Sequence, residues 1–191
     1  MQENKKLKPL VLRDDYLVWI DLEMSGLEVQ TDVILEIATI ITNGNLEVIA
    51  HGPHLVINQP DLILETMNDW CKRQHGLSGL TKAVQESNIT LQEAEEQTLE
   101  FVKLFCKPNT ARLCGNSVWQ DRIFLQKYMP TFLNYCNYRL IDVSSIKEVV
   151  KRWYPTNEAI YFAKSDSHRA LDDIQASIDE LKHYRAHFFI K

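Results

Sequence analysis

Strand patterns occupy the first part of the chain. The apolar run Tyr16–Leu22 predicts a first strand, and the β-branched run Val33–Thr42 predicts a second. The Asn-Gly-Asn sequence at residues 43–45 is typical of a hairpin turn, so a third strand is expected to follow. This third strand covers Leu46–Ala50, or continues as far as Ile57.

Helical patterns alternate with short strands over the rest of the chain. Thr90 and Glu93 form a capping box that opens a helix with an apolar stripe: Leu91, Ala94, Thr98, Val102 and Phe105. The later predictions are a strand at 112–114, a helix at 120–128 ended by Pro130, a strand at 138–142, a helix at 143–153 and a helix at 168–187. The last helix would pack through Leu171, Ile174, Ile178 and Leu181. Together these elements predict an α/β fold in which helices flank a mixed central sheet.

Composition sets the broad class of protein. At 191 residues, we expect an N-terminal extension over residues 1–14 and a single domain over residues 15–191. The net charge of −5 argues against tight, non-specific binding of long nucleic acid, but it does not exclude a short nucleic-acid substrate. The N-terminus is polar and no apolar run is long enough to span a bilayer, so we expect no membrane association. The four cysteines lack CxxC spacing, which favours reduced thiols in a cytoplasmic protein: Cys71, Cys106, Cys114 and Cys136.

Four carboxylates and one histidine, in three short motifs, carry the candidate chemistry. Asp21 and Glu23 end the first predicted strand two residues apart, so their side chains point to the same side. Asp121 lies in the first turn of a predicted helix, and His168 and Asp173 open the last helix. Acidic groups at one point repel each other unless cations lie between them, and a histidine can take a proton from water. The set suggests a divalent-metal site with a general base.

Each motif alone has a structural alternative. Asp21 and Glu23 could be a solvated strand end, Asp121 could interact with the helix dipole, and His168 could lie on the surface near a helix start.

The last helix offers two adjacent aspartates, and helical geometry distinguishes them. At about 100° per residue, Asp172 falls on the mainly polar face, whereas Asp173 lies beside Ala170 and Ser177 at the border of the buried stripe. A site that faces the sheet would therefore use Asp173, with Asp172 on the solvated face.

Together the motifs resemble those of the DEDDh class of 3′-to-5′ exonucleases, which have an RNase H-like fold. Asp21-x-Glu23, Asp121 and His168-x4-Asp173 match the class. Longer stretches resemble the oligoribonuclease family in particular: residues 19–27, 36–38, 67–71, 115–117, 120–122, 138–144 and 168–174. Trp119 departs from the resemblance, because a smaller residue is expected there and the indole could crowd the neighbouring loop.

The resemblance implies a two-metal phosphodiesterase. Asp21, Glu23 and Asp173 would hold one Mg²⁺ or Mn²⁺, Asp21 would bridge to a second ion about 4 Å away, and Asp121 would complete the shell, directly or through water. His168 would act as general base on the attacking water. The products would be nucleoside 5′-monophosphates released from the 3′ end.

The resemblance also implies a site for very short single-stranded RNA. Leu27 would wedge against the last bases and Trp70 would stack on one of them, whereas without the resemblance both would be interpreted as plain core residues. Four residues would close around the far phosphate: Ser117, Tyr138, Arg139 and Ser144. Of these, Tyr138 and Arg139 would come from the second subunit of a homodimer. Arg139 alone could also be an ordinary surface cation.

Three functional hypotheses follow. The leading one is a cytoplasmic, homodimeric exoribonuclease that completes RNA decay by cleaving substrates of two to about five nucleotides. The second is an exonuclease with the same chemistry that trims tRNA ends or proofreads DNA. Comparing the cleavage of a dinucleotide with that of a longer RNA or DNA end separates it from the first. The third is a catalytically inactive fold kept as a binding module, which a metal-dependent turnover assay would exclude.

Overall fold

A computed structural model describes residues 12–163 and 169–189 of the chain. Within these ranges, five strands form one mixed sheet with helices packed against it, which confirms the predicted α/β architecture. The strands are β1 (Leu17–Met24), β2 (Ile34–Thr42), β3 (Val48–Val56), β4 (Arg112–Gly115) and β5 (Leu140–Asp142). The helices are α1 (Asp61–Thr66), α2 (Asp69–Leu77), α3 (Leu80–Glu86), α4 (Leu91–Lys103), α5 (Val118–Tyr128), α6 (Pro130–Tyr135), α7 (Val143–Trp153) and α8 (Ala170–Phe188), with a 3₁₀ turn at Glu158–Ile160.

Strand β1 lies at the centre of the sheet, whose order is β3-β2-β1-β4-β5. It pairs antiparallel with β2 and parallel with β4, and β4 pairs parallel with β5. Because β1, β4 and β5 run in one direction, their carboxyl ends meet at the same edge of the sheet. In α/β proteins this edge is where sites form.

The residues of β1 alternate between two hydrophobic clusters on opposite faces of the sheet. Val18 and Ile20 belong to the cluster built with α4, α5 and α6. Leu17 and Trp19 belong to the cluster built with α7 and α8. With the period of two of a strand, Asp21 continues the second series, so β1 directs its candidate carboxylates to the face covered by α8.

The hydrophobic pattern located the long elements and missed short ones. No helix was predicted over the segment that forms α1, α2 and α3, because helices of nine residues or fewer show little more than two turns of a repeat. Pro130 was predicted to end a helix; it follows the end of α5 but also opens α6, because proline fits the first turn of a helix. The third strand begins at Val48 rather than Leu46, since Leu46 has a φ of 66° and belongs to the turn.

Smaller differences concern element boundaries. Helix α5 begins at Val118, two residues before the prediction, and β5 begins at Leu140, two residues after it. Residues 164–168, which include the predicted start of the last helix, lie outside the described residues. The domain boundary between residues 14 and 15 stays a prediction.

Two further features bear on the predicted class. All four cysteines are buried free thiols. Among the helices of the described ranges, none has both the length and the apolar character needed to cross a membrane.

Candidate active site

Asp21, Glu23 and Asp173 form the centre of the site. One oxygen from each carboxylate lies within 4.8 Å of an oxygen from the other two, and all three residues are partly buried. Strand β1 supplies the first two from alternate positions on one face, and the first turn of α8 supplies the third. The neighbouring Asp172 is exposed to solvent, as expected from the helical period.

The electrostatics of these carboxylates suit a cation. Burial, together with the smaller effects of the charges of Asp173, Glu36 and Asp121, raises the pKa of Glu23 to about 8. A carboxylate this costly to ionise is stabilised by a positive charge between it and its neighbours. The donor set consists of oxygen atoms alone, which is the set that Mg²⁺ and Mn²⁺ prefer. The residues present therefore fit a divalent metal ion.

Asp121 lies beside this trio and contacts the backbone of β1. Its side chain is only 6% exposed, and its Oδ1 accepts a hydrogen bond of 2.9 Å from the N–H of Leu22, which lies between Asp21 and Glu23 in the chain. Burial raises the pKa of Asp121 to about 7. An interaction with the dipole of α5 does not account for this bond to a strand 99 residues away. Asp121 thus fixes the backbone that presents the two β1 carboxylates.

We expect the metal-free protein to lose stability as the pH rises from about 5 to about 8. Glu23 and Asp121 have folded-state pKa values of about 8 and about 7, above the ordinary values of 4.5 and 3.8. The stability linked to their protonation is complete below the ordinary values and is lost as the pH rises through the folded-state values. Glu36 changes stability in the opposite direction, because its pKa is lowered to about 2. Its contribution to folding stability is present above about pH 4.5 and is lost only as the pH falls below that value.

Thermal melts with EDTA and with Mn²⁺ at the two ends of this pH range test the prediction. A cation should offset the repulsion only where the carboxylates are ionised, so the increase in Tm caused by Mn²⁺ should be larger near pH 8 than near pH 5. An equal increase at both pH values would contradict the assignment.

The predicted general base, His168, lies outside the described residues. Arg169, the next residue in the chain, is the N-cap of α8, and its carbonyl oxygen accepts hydrogen bonds from the N–H groups of Asp172 and Asp173.

Leu27 and Trp70 are exposed, which contradicts their alternative interpretation as core residues. Leu27 is 73% exposed and Trp70 is 51% exposed. Both line a cavity of about 420 Å³ that also includes Glu23. An exposed aliphatic and an exposed indole side chain beside a carboxylate cluster form an apolar platform suited to bases.

The loop that carries Leu27 is held by contacts that the sequence did not reveal. The carboxylate of Asp32 accepts hydrogen bonds from the hydroxyl of Ser25 at 3.0 Å and from the N–H of Glu28 at 2.9 Å. A Cβ at Gly26 would clash with this carboxylate, so a larger residue there would displace Asp32 from these hydrogen bonds. The side chain of Gln120, on α5, donates to the carbonyl of Leu27 at 3.0 Å.

Ser117 and Ser144 meet on the β4 and β5 side of the same sheet edge. Their hydroxyl oxygens are 3.1 Å apart. Asp142 organises the pair, because its Oδ1 accepts from the N–H of Ser117 and from the N–H of Ser144, each at 2.9 Å. Asp142 is also the N-cap of α7. Asp142 thus brings the two serines together, and their contact with a phosphate stays a prediction.

Tyr138 and Arg139 lie far from the carboxylates of their own chain. Leu140 of β5 pairs with Leu113, which pairs with Val18, so Arg139 is level with the start of β1. Asp21 is four residues further along β1 and two strands away. With a rise of about 3.3 Å per residue and a strand spacing of about 4.8 Å, the two Cα atoms are ~16 Å apart. Tyr138 is exposed, and the guanidinium of Arg139 lies 4.8 Å from the centre of its ring.

His75 also lies close to the carboxylate group. His75, on α2, is buried, with Nε2 2.9 Å from the carbonyl of Met24 and Nδ1 3.9 Å from the carboxylate of Glu23. No helix was predicted over this segment, so the sequence gave no sign that His75 would lie at the site.

Trp119, which departs from the resemblance, lies on the first turn of α5 and is 53% exposed, while Asp121 is buried.

Comparisons with known proteins agree with this geometry. The family model described as Exonuclease (RNase_T) matches residues 18–181. The human protein named mitochondrial oligoribonuclease is 53% identical over 175 residues, which are 92% of this chain and 74% of the human protein. The oligoribonuclease of Marinobacter nauticus is 52% identical over 176 residues, 92% of this chain and 97% of the bacterial protein.

Solved structures of exonuclease I share the fold. The enzyme from Methylocaldum szegediense superposes with a TM-score of 0.69 at 16% identity, over 91% of this chain and 41% of that chain. Exonuclease I of E. coli, in complex with an oligonucleotide, gives a TM-score of 0.66 at 14% identity, over 90% of this chain and 40% of that chain. This chain thus spans less than half the length of these structural neighbours. Given a family model that matches residues 18–181 and relatives above 50% identity, the chain belongs to the oligoribonuclease family of 3′-to-5′ exoribonucleases.

Proposed function

We propose that this chain completes RNA decay by hydrolysing substrates of two to about five nucleotides from the 3′ end to nucleoside 5′-monophosphates. The observation that carries the proposal is the group of three carboxylate oxygens within 4.8 Å of one another, in a member of the oligoribonuclease family. Metal-dependent release of mononucleotides from a dinucleotide tests it.

The proposed reaction uses two divalent ions, Mg²⁺ or Mn²⁺. Asp21, Glu23 and Asp173 would hold them, with Asp121 as a further ligand, directly or through water. When bound, such ions supply the positive charge that stabilises the attacking and leaving oxygens of a phosphodiester. His168 takes a proton from the attacking water, a role proposed from its position five residues before Asp173 in the motif.

The proposed preference for short RNA rests on the two ends of the site. Leu27 and Trp70 form an apolar platform at the β1 end, where a terminal base would stack with a gain of about 1–3 kcal/mol and little dependence on base identity. Ser117 and Ser144 lie at the β5 end, two strand spacings or ~10 Å across the sheet edge. Their hydroxyls and the arginine of a partner would close around the far phosphate, so a dinucleotide fills the space between the two ends.

The proposed assembly is a homodimer in which each subunit completes the other's site. Arg139 precedes β5, at the end of the strand opposite to the edge that carries the site, and this placement supports the proposal. Its Cα atom lies ~16 Å from that of Asp21 and ~10 Å along β5 from that of Asp142, which holds Ser117 and Ser144. Tyr138 and Arg139 are exposed and stack on each other, which presents a preformed aromatic and cationic pair to a second subunit.

Arg139→Ala should weaken binding of a 5′-phosphorylated dinucleotide by roughly 1.5–3 kcal/mol, the contribution expected of a charge-assisted hydrogen bond. A dinucleotide without that phosphate should lose much less. Calorimetric titration of a catalytically inactive background with both ligands measures the difference. An equal loss for the two ligands would mean that Arg139 does not contact the phosphate.

A mixed dimer tests whether the arginine acts across the interface. One subunit carries Arg139→Ala and the other carries Asp21→Asn. In the proposed assembly, the mutated arginine faces the inactive site and the remaining site keeps its intact arginine, so half of the wild-type activity is expected. Near-zero activity would mean that Arg139 serves its own subunit.

We further propose a cytoplasmic location, to which the four buried free thiols are suited because that compartment is reducing. The name of the human relative includes the word mitochondrial, whereas the name of the Marinobacter nauticus relative gives no location. Imaging of the tagged protein tests this proposal.

A further inference from the structure

The N-terminus of α8, which carries Asp173, has an unusual cap. Its N-cap residue, Arg169, makes no capping hydrogen bond with its side chain. Instead, a carboxylate oxygen of Glu36, on β2, accepts a hydrogen bond of 3.0 Å from the N–H of Ala170, the first residue of the helix. An acceptor at this position satisfies one of the free N–H groups of the first turn, and its negative charge interacts favourably with the helix dipole.

Glu36 is fully buried, and its carboxylate has several polar partners. The Arg169 guanidinium donates to Oε1 through Nη2 at 2.6 Å and through Nε at 3.0 Å. His54, on β3, lies 2.7 Å from the same oxygen through Nε2. These partners hold the pKa of Glu36 well below its usual range despite its burial. A buried charge is tolerated only with such partners, and their geometry fixes the carboxylate.

This buried pair adjoins the carboxylate cluster on two sides. Glu36 is opposite Glu23 in the β1–β2 register, so the two residues are direct cross-strand neighbours. The carbonyl oxygen of Arg169 accepts a hydrogen bond of 3.1 Å from the N–H of Asp173. One unit of Glu36 and Arg169 therefore touches the strand that presents Glu23 and the turn that presents Asp173.

We propose that Glu36 and Arg169 are positioning residues for the metal site: the β2 carboxylate caps α8 and fixes Asp173 against Asp21 and Glu23. The inference rests on the proposed metal-dependent function and deepens it. Residues that orient metal ligands without touching the metal typically change metal affinity by about 10–100-fold when mutated. A buried ion pair that served only stability would have no such selective effect.

Glu180 provides a matched control. It is also a fully buried glutamate, it lies in the middle of α8, and it contacts a cation, Lys147, at 3.2 Å. It also accepts hydrogen bonds from the side chains of Asn116 and Tyr184, each at 2.8 Å. Glu180→Gln thus removes a comparable buried charge from the same helix, far from the turn that carries Asp173.

The experiment titrates Mn²⁺ into the full-length, RNA-free protein and follows free Mn²⁺ by electron paramagnetic resonance. We expect Glu36→Gln to weaken Mn²⁺ affinity by about 10–100-fold and Glu180→Gln to leave it unchanged, with Tm lowered in both. Unchanged affinity in Glu36→Gln, or equal losses in the two variants, would overturn the proposal.

Two further variants separate positioning from charge and guard against misfolding. The pair Glu36→Gln with Arg169→Gln keeps the net charge of the native site but lacks the ion pair, so its Mn²⁺ affinity should stay low. Recovery to the wild-type value would mean that charge alone matters and would overturn the proposal. If Glu36→Gln does not fold, Arg169→Lys tests the proposal instead. Lysine keeps the positive charge but lacks the planar guanidinium that donates through two nitrogen atoms. A loss of about tenfold supports positioning, and unchanged affinity overturns it.

The wild-type titration distinguishes failure of the proposed metal-dependent function from failure of the positioning inference. If the wild-type protein binds no Mn²⁺, the proposed metal-dependent function fails. If the wild type binds Mn²⁺ and Glu36→Gln binds it equally well, only the positioning inference fails.

Discussion

Replacing Asp21 with asparagine should reduce turnover of a short RNA by at least about 10³-fold while the protein stays folded. Asp21 belongs to the carboxylate group with Glu23 and Asp173 and is the residue proposed to contact both ions. An amide oxygen is a weaker ligand for a hard cation, and the transition state would lose several kcal/mol of charge stabilisation. Removing one negative charge relieves repulsion, so Tm of the metal-free variant should equal or exceed that of the wild type.

Asp172→Asn is the matched control for this prediction. It makes the same chemical change on α8, next to Asp173, at an exposed position. Single-turnover rates and thermal melts of both variants are the measurements. Near-normal turnover in Asp21→Asn, or an equal loss in Asp172→Asn, would show that the metal assignment is wrong.

His168→Ala should lower the rate by about 10²–10⁴-fold, the usual contribution of a positioned general base. Mn²⁺ affinity should change little, because the proposed ligands are all carboxylates. His51→Ala, at an exposed position on β3, serves as a control and should keep full activity. Loss of Mn²⁺ binding together with the rate would make His168 a metal ligand instead of a base.

Local periodicity narrowed the choice of carboxylates, and the resemblance to the DEDDh class joined them into one predicted site. The period of two in β1 assigned Asp21 and Glu23 to one face, and the helical period of α8 favoured Asp173 over Asp172. Both arguments need only the positions of a few neighbouring residues. The structure brings these three carboxylates together.

Residues that act through distant partners could not be predicted in this way. Glu36 lies in an otherwise apolar strand, and its partner Arg169 is 133 residues away. Asp142 gains its importance by holding both Ser144, two residues away, and Ser117, which is 25 residues away in the chain. In a single sequence, such residues look like any other charged side chain.

Side-chain exposure was the other property that composition could not provide. Leu27 and Trp70 have the chemistry of core residues, yet they are 73% and 51% exposed. The loop that presents Leu27 is held by hydrogen bonds to Asp32 and to Gln120 on α5. These are tertiary contacts, which no local pattern contains.

The most direct test of the central claim is a time course with 5′-labelled RNAs from two to about twenty nucleotides, with Mn²⁺ and with EDTA. We expect metal-dependent release of nucleoside 5′-monophosphates that is fastest for the dinucleotide and slows steeply beyond about five nucleotides. Equal or faster cleavage of long RNA or DNA ends would contradict the proposed substrate, and absence of metal-dependent turnover on every length would contradict the proposed activity.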